Sequence, residues 1–235
     1  MKMKKIAYAV AALGISTFVA GSAMAAPSSK SAVMFGGGEQ GLSALMNKSS
    51  EGAATIMSST IKTSEQKDLA IDVSLECNLV TRTKVSGQKG SKSTAGAEAS
   101  VEVAVFMDGT VMAEPGWVTF CDRTQELSAT LGGVLEECVV TVDPDTGVGG
   151  FTKDDCTFSD EDIELMLDTT TANSFNFILF DVGTAGSEGH MIEVKTRISD
   201  STYGDGTFDA SSNGYVGKGS VLVEEIQLGS DININ

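Results

Sequence analysis

The stretch Asp68–Val85, DLAIDVSLECNLVTRTKV, alternates apolar and polar side chains along most of its length. Leu69, Ile71, Val73, Leu75, Cys77 and Leu79 fall on one side, and Ala70, Asp72, Ser74, Glu76 and Asn78 on the other. A period of two belongs to a strand with one face on a core and one in water. A helix would scatter the same six apolar residues around its whole girth. The segment is a strand, and it sets the class of fold around it.

Similar patterns recur along the chain. Ser100–Met107 reads as a strand that ends in Asp108-Gly109, a strong two-residue turn. Trp117–Arg123, Glu137–Val142, Ser174–Val182, His190–Ile198 and Gly219–Leu228 read as further strands. Ser86–Ala97 reads as a polar, glycine-bearing loop. Ser159–Leu167 supports two assignments. Ser159 and Asp162 suit the capping box of a helix, whereas Ile163, Leu165 and Leu167 alternate as in a strand. About nine short strands between glycine turns predict an all-β chain: an antiparallel β-sandwich, jelly-roll-like or immunoglobulin-like, with two disulfides. A transmembrane barrel would need aromatic girdles, which a chain with 6% aromatic residues hardly supplies.

Ahead of this domain the composition changes twice. Residues 1–25 read as a signal peptide. Lys2, Lys4 and Lys5 precede an apolar run from Ile6 to about Ala20, and Ala23-Met24-Ala25 supplies the small residues of a cleavage site. The apolar run is shorter than a bilayer span requires. Residues 26–52, rich in Ser, Gly and Ala, read as a flexible N-terminal arm, and residues 53–235 as the sandwich. Cleavage implies a secreted, periplasmic or cell-surface protein with no membrane span after cleavage.

An oxidising compartment gives the four cysteines a role. Cys77, Cys121, Cys138 and Cys156 predict two structural bridges, Cys77–Cys121 between strands and Cys138–Cys156 across a Gly- and Asp-rich excursion. Metal binding is the weaker alternative, because no C-x-x-C pair exists and the chain has one histidine.

The full chain carries 16 basic and 32 acidic side chains, a net charge of −16. Removing the three leader lysines makes it more negative still, which excludes nucleic-acid binding and favours cations and basic partners. The lone histidine, His190, follows Ser187 in TAGSEGHMIEV (Thr184–Val194), a pairing that invites a hydrolase reading. Yet AGSEG misses the first glycine of G-x-S-x-G and lies between two strands, so a hairpin turn accounts for it and no catalytic residue is assigned. Calcium needs only oxygen ligands, and the pattern requires no other cofactor. Asp143, Asp145, Asp154 and Asp155 in DPDTGVGGFTKDD are the candidate cage, although the EF-hand spacing fails at Gly147 and Val148. Asp and Gly also serve ordinary turns. Tyr203, Asp205, Asp209 and Tyr215, in and beside the Asp/Gly-rich stretch 200–214, are the candidate ligand-binding set. Trp117, on the strand of Cys121, is expected in the core beside a disulfide.

The expected function is an exported, non-catalytic structural or adhesive component of the cell surface, matrix or an extracellular filament. Its partners would be further copies or surface and matrix components, with SAVMF (Ser31–Phe35) able to add to a sheet edge. The alternative is a secreted module for glycan or another small ligand. A hydrolase using His190 or a carboxylate pair ranks third.

Overall fold

The computed structural model describes residues 30–35, 52–63, 65–184 and 189–228. The expected signal peptide and most of the expected arm lie outside the described residues. Thirteen strands follow in order: β1 Lys30–Phe35, β2 Ala54–Ile61, β3 Lys67–Gly87, β4 Ser91–Met107, β5 Val111–Met112, β6 Val118–Leu131 and β7 Val134–Cys138. β8 Thr141–Val142, β9 Gly149–Gly150, β10 Cys156–Ser159, β11 Glu161–Val182, β12 His190–Asp205 and β13 Thr207–Ile226 complete the chain. All ladders are antiparallel. The architecture is an all-β sandwich with two disulfides. The count exceeds nine chiefly because five strands of two to five residues (β5 and β7–β10) carry too little pattern to be read singly.

One sheet has the order β1-β13-β3-β11, and the facing sheet β2-β12-β4-β6, with β5 also on β4. β3 behaves as its alternation demands. Leu69, Ile71, Val73, Leu75, Cys77 and Leu79 are all buried to 3% exposure or less. They meet Val101, Val103 and Val105 of β4 and Ile192 and Val194 of β12 in the main core. Each such aliphatic side chain contributes about 1.5–3 kcal/mol by leaving water.

The sandwich is long. β3 has 21 residues and β11 has 22, so each spans about 70 Å at strand rise. Beyond the main core, Val85, Ala95 and Leu131 form a second small core. Between the two lie buried polar side chains, Thr81, Thr83 and Gln125.

Most of the expected loop Ser86–Ala97 and of the Asp/Gly-rich stretch 200–214 is strand instead. Ser91–Ala97 belongs to β4 and pairs with both β6 and β12. Its Ser, Thr, Ala and Gly residues gave little apolar contrast, yet small side chains are what a closely packed interior strand accepts. A Cβ at Gly96 would collide with the Tyr203 ring. Similarly, 200–205 continues β12 and 207–214 continues β13. The two strands are joined by a tight turn at Gly206, whose φ is +77° and where a Cβ would lie 2.9 Å from the Lys92 carbonyl. Ser159–Leu167 is strand, ending β10 and opening β11. Its Ile163, Leu165 and Leu167 stand opposite Val85, Thr83 and Thr81.

Trp117 is a further correction. A bulge between the Cys121 and Thr119 pairings inserts Phe120 as an extra residue. The bulge reverses the alternation, so Val118 packs on the main core while Trp117 turns to the outer face of the sheet.

Candidate functional site

The chain's histidine is a strand-end fastening. His190 opens β12, and its Nδ1 lies 2.8 Å from Asp108 Oδ2, while its Nε2 lies 3.2 Å from the Gly183 carbonyl. Both neighbours present oxygen acceptors to the ring. Asp108 sits in the expected Asp108-Gly109 turn and also accepts from the Met191 amide at 2.8 Å. The His190 contact holds the Asp108 carboxyl below its ordinary range; burial opposes this, and the Met191 N–H adds to the lowering. These contacts tie together the β4–β5 turn, the end of β11 and the start of β12. Ser187 lies outside the described residues.

The carboxylates expected to cage calcium serve local turns. Asp143 Oδ1 accepts from the amides of Asp145 at 2.8 Å and Thr146 at 3.3 Å. Asp155 Oδ2 accepts from Thr152, at 2.7 Å from its amide and 2.8 Å from its hydroxyl. These bonds hold both carboxyls below the usual range. Asp154 lies in a single 3₁₀ turn, Lys153–Asp155. Among the described residues, no group of three or more His, Cys, Asp or Glu side chains is placed to hold a metal ion.

The four expected ligand-binding residues do not converge. Tyr203 is on β12, on the outer face of one sheet, stacked over Gly96 with its hydroxyl 3.4 Å from Glu126. Tyr215 is on β13, in the other sheet, beside a shallow cleft with Asn78, Asp168 and Thr170. Asp205 turns its carboxylate onto the Gly206 amide. Asp209 pairs with Arg82 at 2.5 Å, and Arg82 also holds Glu164 at 2.6 Å. Trp117 meets the Arg197 guanidinium, 4.5 Å from ring centroid to carbon, and the edge of Phe106. Glu102 completes this outer-face cluster through Arg197, whose hydrogen bond lowers the Glu102 pKa.

What distinguishes this sandwich is how its edges are treated. On one side, β6 and β11 are the outermost strands of the two sheets. They are stitched by side chains that cross between the sheets. Arg123 Nη1 donates to the carbonyls of Leu79 and Leu167, each at 3.0 Å. Gln125 Nε2 donates to the Leu165 carbonyl at 2.9 Å and to Thr83 Oγ1 at 2.7 Å. Its Oε1 accepts from Thr81 at 2.5 Å. Asn173 returns the contact, donating to the Phe120 carbonyl at 2.5 Å.

The other side is different. There β1, from within the expected arm, covers β13 only over Gly219–Glu224, with Val33 packed on the main core. Residues 207–216 of β13 pair with β3 alone among the described strands. The polar stitch escaped the sequence reading because Arg123, Gln125 and Asn173 look like ordinary surface residues on alternating strands. Only the pairing of distant strands brings them opposite the carbonyls they cap.

One end of the sandwich carries a lobe, residues 132–160, inserted between β6 and β11. β7 pairs with β10 and β8 with β9, and the disulfide Cys138–Cys156 closes it. The other disulfide, Cys77–Cys121, links β3 to β6. Both pairings are those expected from the sequence. Lys153 Nζ donates to the Lys89 carbonyl at 2.6 Å, and Lys89 N donates to the Gly132 carbonyl at 2.8 Å, fastening the lobe to the β3–β4 turn.

No protein-family model, curated protein or solved structure matches the chain significantly. Among the described residues, no helix is long and apolar enough to cross a membrane.

Proposed function

We propose that the protein is an exported, non-catalytic building block of a cell-surface, matrix or filament assembly, joined by β1 passing from its own β13 edge to that of a second copy. The observation that carries this reading is the length of chain between β1 and β2. Residues 36–53 join β1 to β2, two strands that lie side by side across the sandwich. Facing sheets are about 10 Å apart, whereas 18 residues can reach about 60 Å. A connection of that excess lets the same strand serve its own sheet or a neighbour's. Stitching of β6 to β11 leaves the open edges on the other side, at β2, residues 197–205 of β12 and residues 207–216 of β13. The last continues the edge that β1 already occupies, which suits it to accept a strand. The signal-peptide pattern and the two disulfides support export.

Light scattering on residues 26–235 across a concentration series tests this. Growth into large species is expected, lost on deletion of residues 26–35. Replacing residues 36–53 by a six-residue connection should hold β1 on its own sheet and keep the protein monomeric. Monomer at every concentration for the unaltered chain refutes the reading. Repeating the series with calcium and then EDTA reads any contribution of Asp143, Asp145, Asp154 and Asp155.

A second reading, a module for glycan or another small ligand, is favoured by the cleft beside Tyr215. It predicts that a glycan raising the melting temperature loses that effect in Tyr215→Ala.

A further inference from the structure

The 132–160 lobe exposes apolar side chains that its own fold does not use. Val139 and Val148 are each 65% exposed, Phe151 61%, Val142 58% and Val140 55%. Yet the segment is held in place by a disulfide, two short ladders and the turns of Asp143 and Asp155. Val140 and Val142 share one face over the bare backbone of Gly149, where a Cβ would lie 2.9 Å from Val140 Cγ1. A fixed, apolar protrusion is the mark of a contact surface.

We infer that the lobe is the surface on which the body of the next copy packs. The inference rests on the strand-exchange reading above, and the direction of β1 supplies its occupant. β1 runs antiparallel to β13, so the chain leaving Phe35 beside Gly219 heads toward Thr207. Thr207 lies opposite Ser86, next to the β3–β4 turn that anchors the lobe. If β1 comes from a second copy, its owner lies in that direction. The twelve positions from Gly219 to Thr207 take up about 40 Å, out of a reach of about 60 Å. For a chain following the β13 edge, up to about 20 Å of reach remains beyond its end, which puts the lobe within range of the owner's body. Reciprocal exchange between two copies would close a dimer, whereas one-way exchange repeats head to tail and grows unless its rotation closes a ring. The lobe contact belongs to the one-way case. Lys153 is the one cation in the lobe against seven carboxylates, which disfavours an anionic membrane. A second copy is acidic too, so its apolar contact with the lobe is expected to strengthen as salt screens the repulsion.

The test uses residues 26–235 carrying Val140→Glu and Phe151→Glu, with Val140→Ser and Phe151→Ser as an uncharged second variant. Both positions are exposed, so the melting temperature should stay within a degree or two of the parent. The expected result is that each variant needs at least tenfold more protein to assemble than the parent. Equal assembly of parent and variants overturns the lobe contact while leaving strand exchange standing. A parent that never assembles overturns both. Flotation with phosphatidylcholine vesicles runs in parallel. Lobe-dependent flotation with unimpaired assembly of the variants also overturns the inference.

Discussion

Arg123 on β6 donates through Nη1 to the carbonyl oxygen of Leu167 on β11 at 3.0 Å, joining the outermost strands of two different sheets. The Gln125 amide does the same one pair along, at Leu165. Gln125 is 5% exposed, and the hydroxyls it serves, on Thr81 and Thr83, belong to residues with no exposure at all. Gln125→Leu would leave those hydroxyls without this partner, at a cost of about 1–3 kcal/mol for a buried polar group. The expected outcome is a lower urea midpoint with an unchanged slope. A variant as stable as the parent would show that the hydroxyls find partners elsewhere in the seam.

Acid should act through Asp108. Its carboxyl is held low by His190, so this contact stabilises the fold above the ordinary carboxylate pKa of about 4. The contribution disappears as the pH falls through the depressed value, when the folded state must also take up the proton. Asp108→Asn should therefore be less stable than the parent at pH 7, and the gap should close toward pH 2. Urea midpoints measured from pH 7 to 2 check this. A gap that stays constant with pH would mean that the pair contributes by shape alone.

The two disulfides should differ in what they protect. Cys77–Cys121 spans 44 residues across the main core, and Cys138–Cys156 spans 18 within the lobe. Loop-closure entropy gives about 4 and about 3 kcal/mol for such lengths. Paired Cys→Ser changes at 77 and 121 should lower the main calorimetric transition. The same changes at 138 and 156 should leave that transition near its place and raise amide exchange over 134–159. A main transition lowered equally by both would show that the lobe and sandwich unfold as one unit.

The parts of this fold legible in the sequence are those where apolar contrast is strong and unbroken. β3 announces itself because each inward side chain from Leu69 to Leu79 reaches the core. The cysteines pair as their spacing suggests. The chain turns at Asp108-Gly109 as expected, although Met107 pairs with Val111 and the turn therefore takes in Thr110 as a third residue. The start of β4 was not legible, since Ala95, Gly96 and Ala97 fit tight interior positions that look like loop composition. Trp117 was misplaced by one inserted residue, Phe120, which no alternation rule anticipates. Tyr203 and Tyr215 are close in sequence, but the turn at Gly206 sends β12 and β13 into different sheets. The candidate assembly edge was visible only as SAVMF. Its counterpart, the stitched edge opposite, depends on polar side chains whose partners are backbone carbonyls tens of residues away.

The lengthwise register of β1 on β13 also has a mechanical side. Ladder hydrogen bonds run perpendicular to the strands, so a pull along β1 stretches all six residue pairs at once. The joint is loaded in shear, whereas a strand drawn away from its edge would peel one pair at a time. In a fibre built by exchange, tension along the axis would meet the stiffer of these two responses, and sideways prising the softer.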